Sequence, residues 1–142
     1  MPLDYSTPAM QTETYLDILQ EKGLKKTPVR KELIRHFLTN KHALSFHDLQ
    51  DLFGASMDKS TLYRNLSSFE EAGIIHRIND HSGTAKYAYG NTKKEGDHAH
   101  FVCEKCQTVY CLEGKVTLDV AIPNQFQVTQ LETVIRGNCG RC

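Results

Sequence analysis

The sequence predicts an α+β chain in two parts, a helical first half closed by a two-stranded hairpin and a small strand-rich second part stapled by a metal ion. Three observations predict it. Apolar residues recur at helical spacing between Tyr15 and Phe69. Two short β-like runs, residues 74–78 and 85–89, flank the turn-rich Asn79-Asp80-His81-Ser82-Gly83. Two Cys-x-x-Cys pairs, Cys103/Cys106 and Cys139/Cys142, are separated by 32 residues.

Tyr15, Leu16 and Leu19 fit a short amphipathic helix that stops at Gly23. Thr27-Pro28 reads as an N-cap followed by proline at the first helical position. Behind it, Val29, Leu33, Ile34, Phe37 and Leu38 would face a core. Ser45 caps a third predicted helix with Phe46, Leu49, Leu52 and Phe53 buried, ending at Gly54. Asp58 caps a fourth, in which Leu62, Leu66 and Phe69 form one stripe and leave Tyr63, Arg64, Asn65 and Ser68 facing away from it. Helices followed by such a hairpin form a winged helix-turn-helix, whose last helix enters the DNA major groove. Residues 90–97 are polar and read as a hinge. Beyond them, residues 98–103 and 108–112 look like strands, and 126–136 like a longer one. The expected division is 1–89, 90–97 and 98–142.

Hydrophobic residues make up 39% and charged residues 24%, an ordinary balance for a globular protein. No apolar run reaches the roughly 18 residues that suggest a membrane span, and the first ten residues lack the features of a signal peptide. A cytoplasmic location is the expectation. With 17 basic and 17 acidic residues, the whole chain gives no electrostatic reason to bind nucleic acid. Locally, residues 21–41 hold seven basic side chains against two acids. That stretch reads either as a phosphate-facing patch or as a solvated helix face.

Five cysteines in a reducing compartment point to metal or redox chemistry. Two Cys-x-x-Cys pairs supply four thiolates, which fill a tetrahedral shell around zinc and leave no position for water, so the ion would be structural. A redox dithiol or an iron–sulfur cluster are the alternatives. Neither pair opens a helix after a strand, as the redox chemistry prefers.

Lys26-Thr27-Pro28-Val29-Arg30, Ser60-Thr61-Leu62-Tyr63-Arg64-Asn65-Leu66, His98-Ala99-His100-Phe101-Val102-Cys103-Glu104-Lys105-Cys106 and the second Cys-x-x-Cys occur in an order that resembles the ferric uptake regulator (Fur) family of bacterial metal-responsive repressors. The resemblance extends from about residue 12 to 142. It implies a winged-helix DNA-binding domain, a hinge and an α/β dimerisation domain. It also implies a homodimer that binds a palindromic double-stranded operator when a regulatory metal is present, repressing metal-homeostasis genes without enzymatic activity. Lys26, Arg30, Lys59, Ser60, Thr61, Tyr63, Arg64 and Asn65 become the candidate DNA contacts. Tyr63 suits thymine methyls, and Arg64 a phosphate or a guanine edge; the plainer reading of Tyr63 is a half-buried aromatic.

His98 and His100 match the family's regulatory histidines, and alternate residues on a strand point the same way. Without the match they are a pair of exposed strand histidines. Position 111, usually a carboxylate ligand in the family, is Cys111 here, which moves the preference toward zinc and away from iron or manganese; otherwise it is a small buried hydrophobe. The candidates for a fourth ligand are His42, Asp97 and Glu95; the alternative is a degenerate site, one ligand short. The expected cofactors are one structural Zn2+ and a second, regulatory Zn2+, Fe2+ or Mn2+. The segment 113–124 is short where the family places a longer helix, so dimerisation is expected to rest on strand 126–136 pairing with its symmetry mate. The leading reading is a zinc-responsive repressor. An iron- or peroxide-responsive regulator, a winged-helix regulator with structural zinc only, and a thiol oxidoreductase compete with it.

Overall fold

The computed structural model describes residues 12–40, 42–55, 57–90, 99–112, 114, 116–129 and 131–142. The helical half contains α1 (Thr12–Glu21), α2 (Pro28–Thr39), α3 (Phe46–Phe53) and α4 (Lys59–Glu71), with β1 (Leu44–Ser45) just before α3. The hairpin is β2 (Ile75–Ile78) and β3 (Lys86–Tyr89).

Each helix from α2 onward starts where the sequence supplies a cap. The Thr27 hydroxyl accepts from the Arg30 amide at 3.2 Å, with Pro28 behind it. Ser45 and Asp48 form a reciprocal capping box, at 3.0 and 2.9 Å. Asp58 accepts from the Thr61 amide at 3.3 Å. These caps satisfy amides that helix geometry leaves without intrahelical partners.

The apolar stripes then close one core: Leu19, Leu33, Ile34, Leu49, Leu62, Leu66 and Phe69 are fully buried or nearly so. Leu52, expected in that core, is 44% exposed. In the eight-residue α3 only Leu49 is fully buried, with Phe46 and Phe53 partly buried against the same core, and Leu52 lies to one side of them. β3 is the central strand of the first sheet, antiparallel to β1 (Leu44 opposite Tyr87) and to β2 (His76 opposite Ala88).

The second sheet holds β4 (Ala99–Cys103) between β5 (Val109–Cys111), antiparallel, and β6 (Thr133–Gly137), parallel. The long strand expected over 126–136 is thus corrected to Thr133–Gly137. A strand running parallel to β4 needs a crossover after β5, and residues 116–129 belong to that crossover without forming helix or strand. Their apolar side chains Leu118, Val120, Ile122, Phe126 and Val128 are exposed.

The two halves are joined by packing and by backbone. Ala43, Ile78, Ala88, Val102 and Val109 form a second buried cluster with residues from both. The Ala43 amide donates to the Val109 carbonyl at 2.8 Å, and His42 bridges to Tyr110. Polar contacts flank this junction. Lys86 forms an ion pair with the buried carboxylate of Asp80 at 3.0 Å and donates to the Gln107 carbonyl at 2.7 Å. Arg136 donates to the Asp80 carbonyl at 2.6 Å. The wing is therefore tied to the turn that holds the second cysteine and to the last strand.

Candidate metal centres and nucleic-acid face

Cys103 ends β4, Cys106 follows in the tight turn that reaches β5, and Cys139 and Cys142 follow β6. Parallel pairing sets Gly137 opposite Cys103, which delivers the second pair of cysteines to the first. A side chain at Gly137 would press on the Phe101 ring, 3.2 Å from where a Cβ would lie. Sulfur separations are 3.8 Å for Cys103–Cys142, 3.8 Å for Cys106–Cys139 and 3.7 Å for Cys139–Cys142. Four sulfurs at about 2.3 Å from a central zinc stand about 3.8 Å apart along the edges of a tetrahedron. The residues therefore fit a zinc ion held by four thiolates.

The backbone is organised for thiolates. The Cys106 and Cys139 amides donate to Cys103 Sγ at 3.4 and 3.5 Å, and the Arg141 amide donates to Cys139 Sγ at 3.4 Å. The first two of these amides chiefly pull the Cys103 thiol down to about 6. Desolvation and the neighbouring thiols push Cys142 up to about 12. A quartet in which one thiolate forms readily and another is resisted is what mutual repulsion gives, and a bound cation removes that repulsion.

A second cluster forms where the halves meet. His76 on β2, His100 on β4 and Cys111 on β5 bring their ligand atoms within 4.8 Å of one another. His100 and Cys111 are directly opposite in the β4–β5 register. His76 Nε2 lies 3.3 Å from His100 Nε2 and 3.8 Å from Cys111 Sγ. Two imidazole nitrogens on one tetrahedral zinc stand about 3.3 Å apart, and a nitrogen and a sulfur about 3.6 Å. His76 Nδ1 lies 3.0 Å from the Gly90 carbonyl, which can only accept. This assigns the proton to Nδ1 and leaves the Nε2 lone pair toward the cluster, the orienting contact that metal-binding histidines use. Burial pushes the Cys111 thiol up to about 11, so thiolate at this position calls for a cation beside it.

Of the expected ligands, His100 and Cys111 are brought together. His98, Glu95 and Asp97 lie outside the described residues. His42 is not among the three clustered side chains: it bridges to Tyr110 beside β5, and its Nδ1 lies 3.0 Å from the Ala43 carbonyl. Sequence reasoning missed His76. It is the third residue after Gly73, in a run that reads only as a wing strand; its one signal is being a histidine among the apolar residues Ile74, Ile75 and Ile78.

On the helical half, Lys59, Ser60, Tyr63 and Arg64 line the exposed face of α4, with Tyr63 53% exposed. The Tyr63 ring stacks on Phe46, centroids 4.0 Å apart and planes 12° apart. Asn65 and Thr61 are half-buried and engaged locally. Asn65 donates to the Thr61 carbonyl at 2.8 Å, and Thr61 Oγ1 donates to Asp58 at 3.3 Å. Arg30 Nε donates to Asn65 Oδ1 at 3.1 Å and its Nη1 to the Lys25 carbonyl at 3.2 Å, so this side chain braces α4 against α2. Lys26 is exposed and donates to Gln20 at 3.0 Å. No helix among the described residues is long and apolar enough to cross a membrane.

Comparison with known proteins accords with this architecture. The model of the ferric uptake regulator family matches residues 21–131. A ferric uptake regulation protein of Neisseria gonorrhoeae is 30% identical over 134 residues, covering 87% of this chain and 90% of that protein. One from Staphylococcus aureus strain Mu50 is 34% identical over 142 residues, covering 94% and 98%. A solved zinc uptake regulator in complex with zinc and DNA shares the fold, with a TM-score of 0.60 at 19% identity over 91% of this chain and 90% of that one. A winged helix-turn-helix joined to a second sheet that carries four clustered cysteines, together with these matches, places the chain in the Fur family: it is a metal-responsive transcriptional regulator and not an enzyme.

Proposed function

We propose that this protein is a zinc-responsive repressor that binds a palindromic operator as a homodimer, with one structural zinc on Cys103, Cys106, Cys139 and Cys142 and a second, regulatory zinc held by His76, His100 and Cys111. The observation that carries the reading is the His76–His100–Cys111 cluster, because its ligands come from the wing and from the second sheet. A thiolate and two imidazoles are a borderline-soft set that favours zinc over iron or manganese. His98, Asp97 and Glu95 are the proposed sources of a fourth ligand.

The chain's part in the switch is positional. When bound, the cation offsets the charge of Cys111 thiolate and gives His76 and His100 a common partner. With both ligand sets engaged, β2 is held against β4 and β5, and α4, which packs on β2, is held with them. A ligand shifts an equilibrium only by its differential affinity for the two states. A site whose ligands come from both halves supplies that difference. Tyr63, Arg64, Lys59, Ser60 and Lys26 are the proposed DNA contacts, with residues 1–89 the DNA-binding unit, 90–97 the hinge and 98–142 the dimerisation unit. The chain would work in the cytoplasm.

The curated relatives are named for ferric uptake, which favours iron as the competing reading. Metal titration separates the two. The expected result is two zinc ions per chain by elemental analysis, with operator binding lost when a chelator too weak to reach the four-cysteine ion removes the second. One zinc per chain with metal-independent DNA binding defeats the sensor, and restoration by Fe2+ but not Zn2+ at matched free concentration selects iron.

A further inference from the structure

The aromatic pair on the recognition face has a geometry that core packing does not require. Leu62, Leu66 and Phe69 already bury the inner stripe of α4. Tyr63 sits one position past that stripe with half its surface in solvent, yet its ring lies flat on another ring instead of sweeping freely. The partner, Phe46, is the first residue of α3. Its backbone is fixed by the Ser45–Asp48 capping box, and its side chain packs on the helical core. Phe46 thus carries rigidity from the core to the outer face of α4. An exposed tyrosine on a helix samples more than one rotamer and loses that freedom when it binds.

We propose that Phe46 is a positioning residue for DNA sequence readout: it holds the Tyr63 ring, before DNA arrives, in the one orientation whose open face meets a thymine methyl in the major groove. The inference rests on the reading of Tyr63 as a base contact. A flat ring offers a methyl group an apolar face, and the C5-methyl is what distinguishes thymine from other bases at that edge. Phe46 covers one face of Tyr63, so a single face remains to be presented, and the discrimination comes from its fixed angle.

The test uses the full-length protein saturated with zinc and a duplex recovered by that protein from a random-sequence pool. Each thymine is replaced in turn by deoxyuridine, which lacks only the methyl. Wild type is expected to lose about three- to tenfold in affinity at the thymine that Tyr63 meets, the scale of one stacking or methyl contact. Tyr63→Ala removes that difference. Phe46→Leu is expected to cut the thymine-to-deoxyuridine ratio at that position to below about twofold, with a thermal transition near wild type, and Phe46→Tyr restores it. Phe46→Met serves in place of the leucine variant if that one folds poorly. A leucine or methionine variant that binds more weakly but keeps the full ratio overturns the proposal and leaves Phe46 as packing. Should Tyr63→Ala leave the ratio unchanged at every thymine, the base-contact reading falls, and the role of Phe46 with it.

Discussion

His76 and His36 show how differently one residue type is used in this chain. His76 is buried, yet its Nδ1 is matched to a carbonyl and its Nε2 faces the His100 ring and the Cys111 sulfur. His76→Ala is expected to remove the second zinc equivalent while the four-cysteine ion stays, which elemental analysis after dialysis measures. His36 faces Phe53 edge-on at 5.2 Å, with Glu32 3.6 Å away. Burial, helped by Arg35, holds its pKa below the usual 6.5 despite Glu32. The folded state therefore binds a proton less readily than the unfolded one. Stability is fully present above about pH 6.5 and falls as pH drops toward the folded value. The fall between about pH 7 and 5 should be shallower in His36→Leu, as thermal melts of metal-saturated protein at several pH values will show. The residue scale is also where sequence reading was weakest. His98-x-His100 and Cys-x-x-Cys are visible because their members are neighbours in the chain. His76 is 24 residues from His100, and only the docking of β2 on β4 makes them one site. Arg30 is a similar case: its charge suggested a phosphate, while the fold engages its guanidinium with Asn65 and the Lys25 carbonyl.

At the scale of elements, helix starts were legible and strand extents were not. Thr27-Pro28, Ser45 with Asp48, and Asp58 announce helices because capping is a local hydrogen-bond geometry. The strand expected over 126–136 shrinks to Thr133–Gly137 because its length is set by its partner β4, which has five residues. Alternating apolar residues alone could not reveal that. The same alternation leaves Leu118, Val120 and Ile122 exposed in the single chain, a patch of the kind that marks an interface. Val120→Glu is expected to shift the dimer toward monomer in light scattering while leaving the four-cysteine zinc content unchanged. The wing carries the other element-scale prediction. Asp80 is buried, and desolvation alone would raise its pKa; the hydrogen bonds from Ser82 and the nearby Lys86 outweigh that and lower it. Lys86→Met leaves this carboxylate without its counter-charge and also removes the donor to Gln107. A cost of about 3 kcal/mol is expected from urea unfolding.

For the whole molecule, a zinc ion on the four cysteines, as proposed, would supply the staple that the small second part needs. Among its described residues few side chains are fully buried beyond Val102, Cys103 and Val109, a small core for a sheet to rest on. Cys103→Ser breaks the tetrahedron and is expected to unfold this part even in excess zinc, seen as loss of the dimer and of cooperative melting. The fold class and the clustering of the four cysteines were legible because spacing and periodicity report on them directly. The join between the halves was not, since it depends on which surfaces meet.

That join includes one feature with a use of its own. The Ala43 amide, in the N-terminal half, donates its hydrogen to the Val109 carbonyl, in the C-terminal one. An amide bonded across the seam exchanges with solvent deuterium only when the seam parts, so its exchange rate counts openings without a probe on either metal site. Adding the second zinc should slow deuterium uptake at Ala43 more than at amides inside α4, whose bonds stay within one half. Equal slowing at both would mean that the ion stiffens the protein generally and does not close one half on the other.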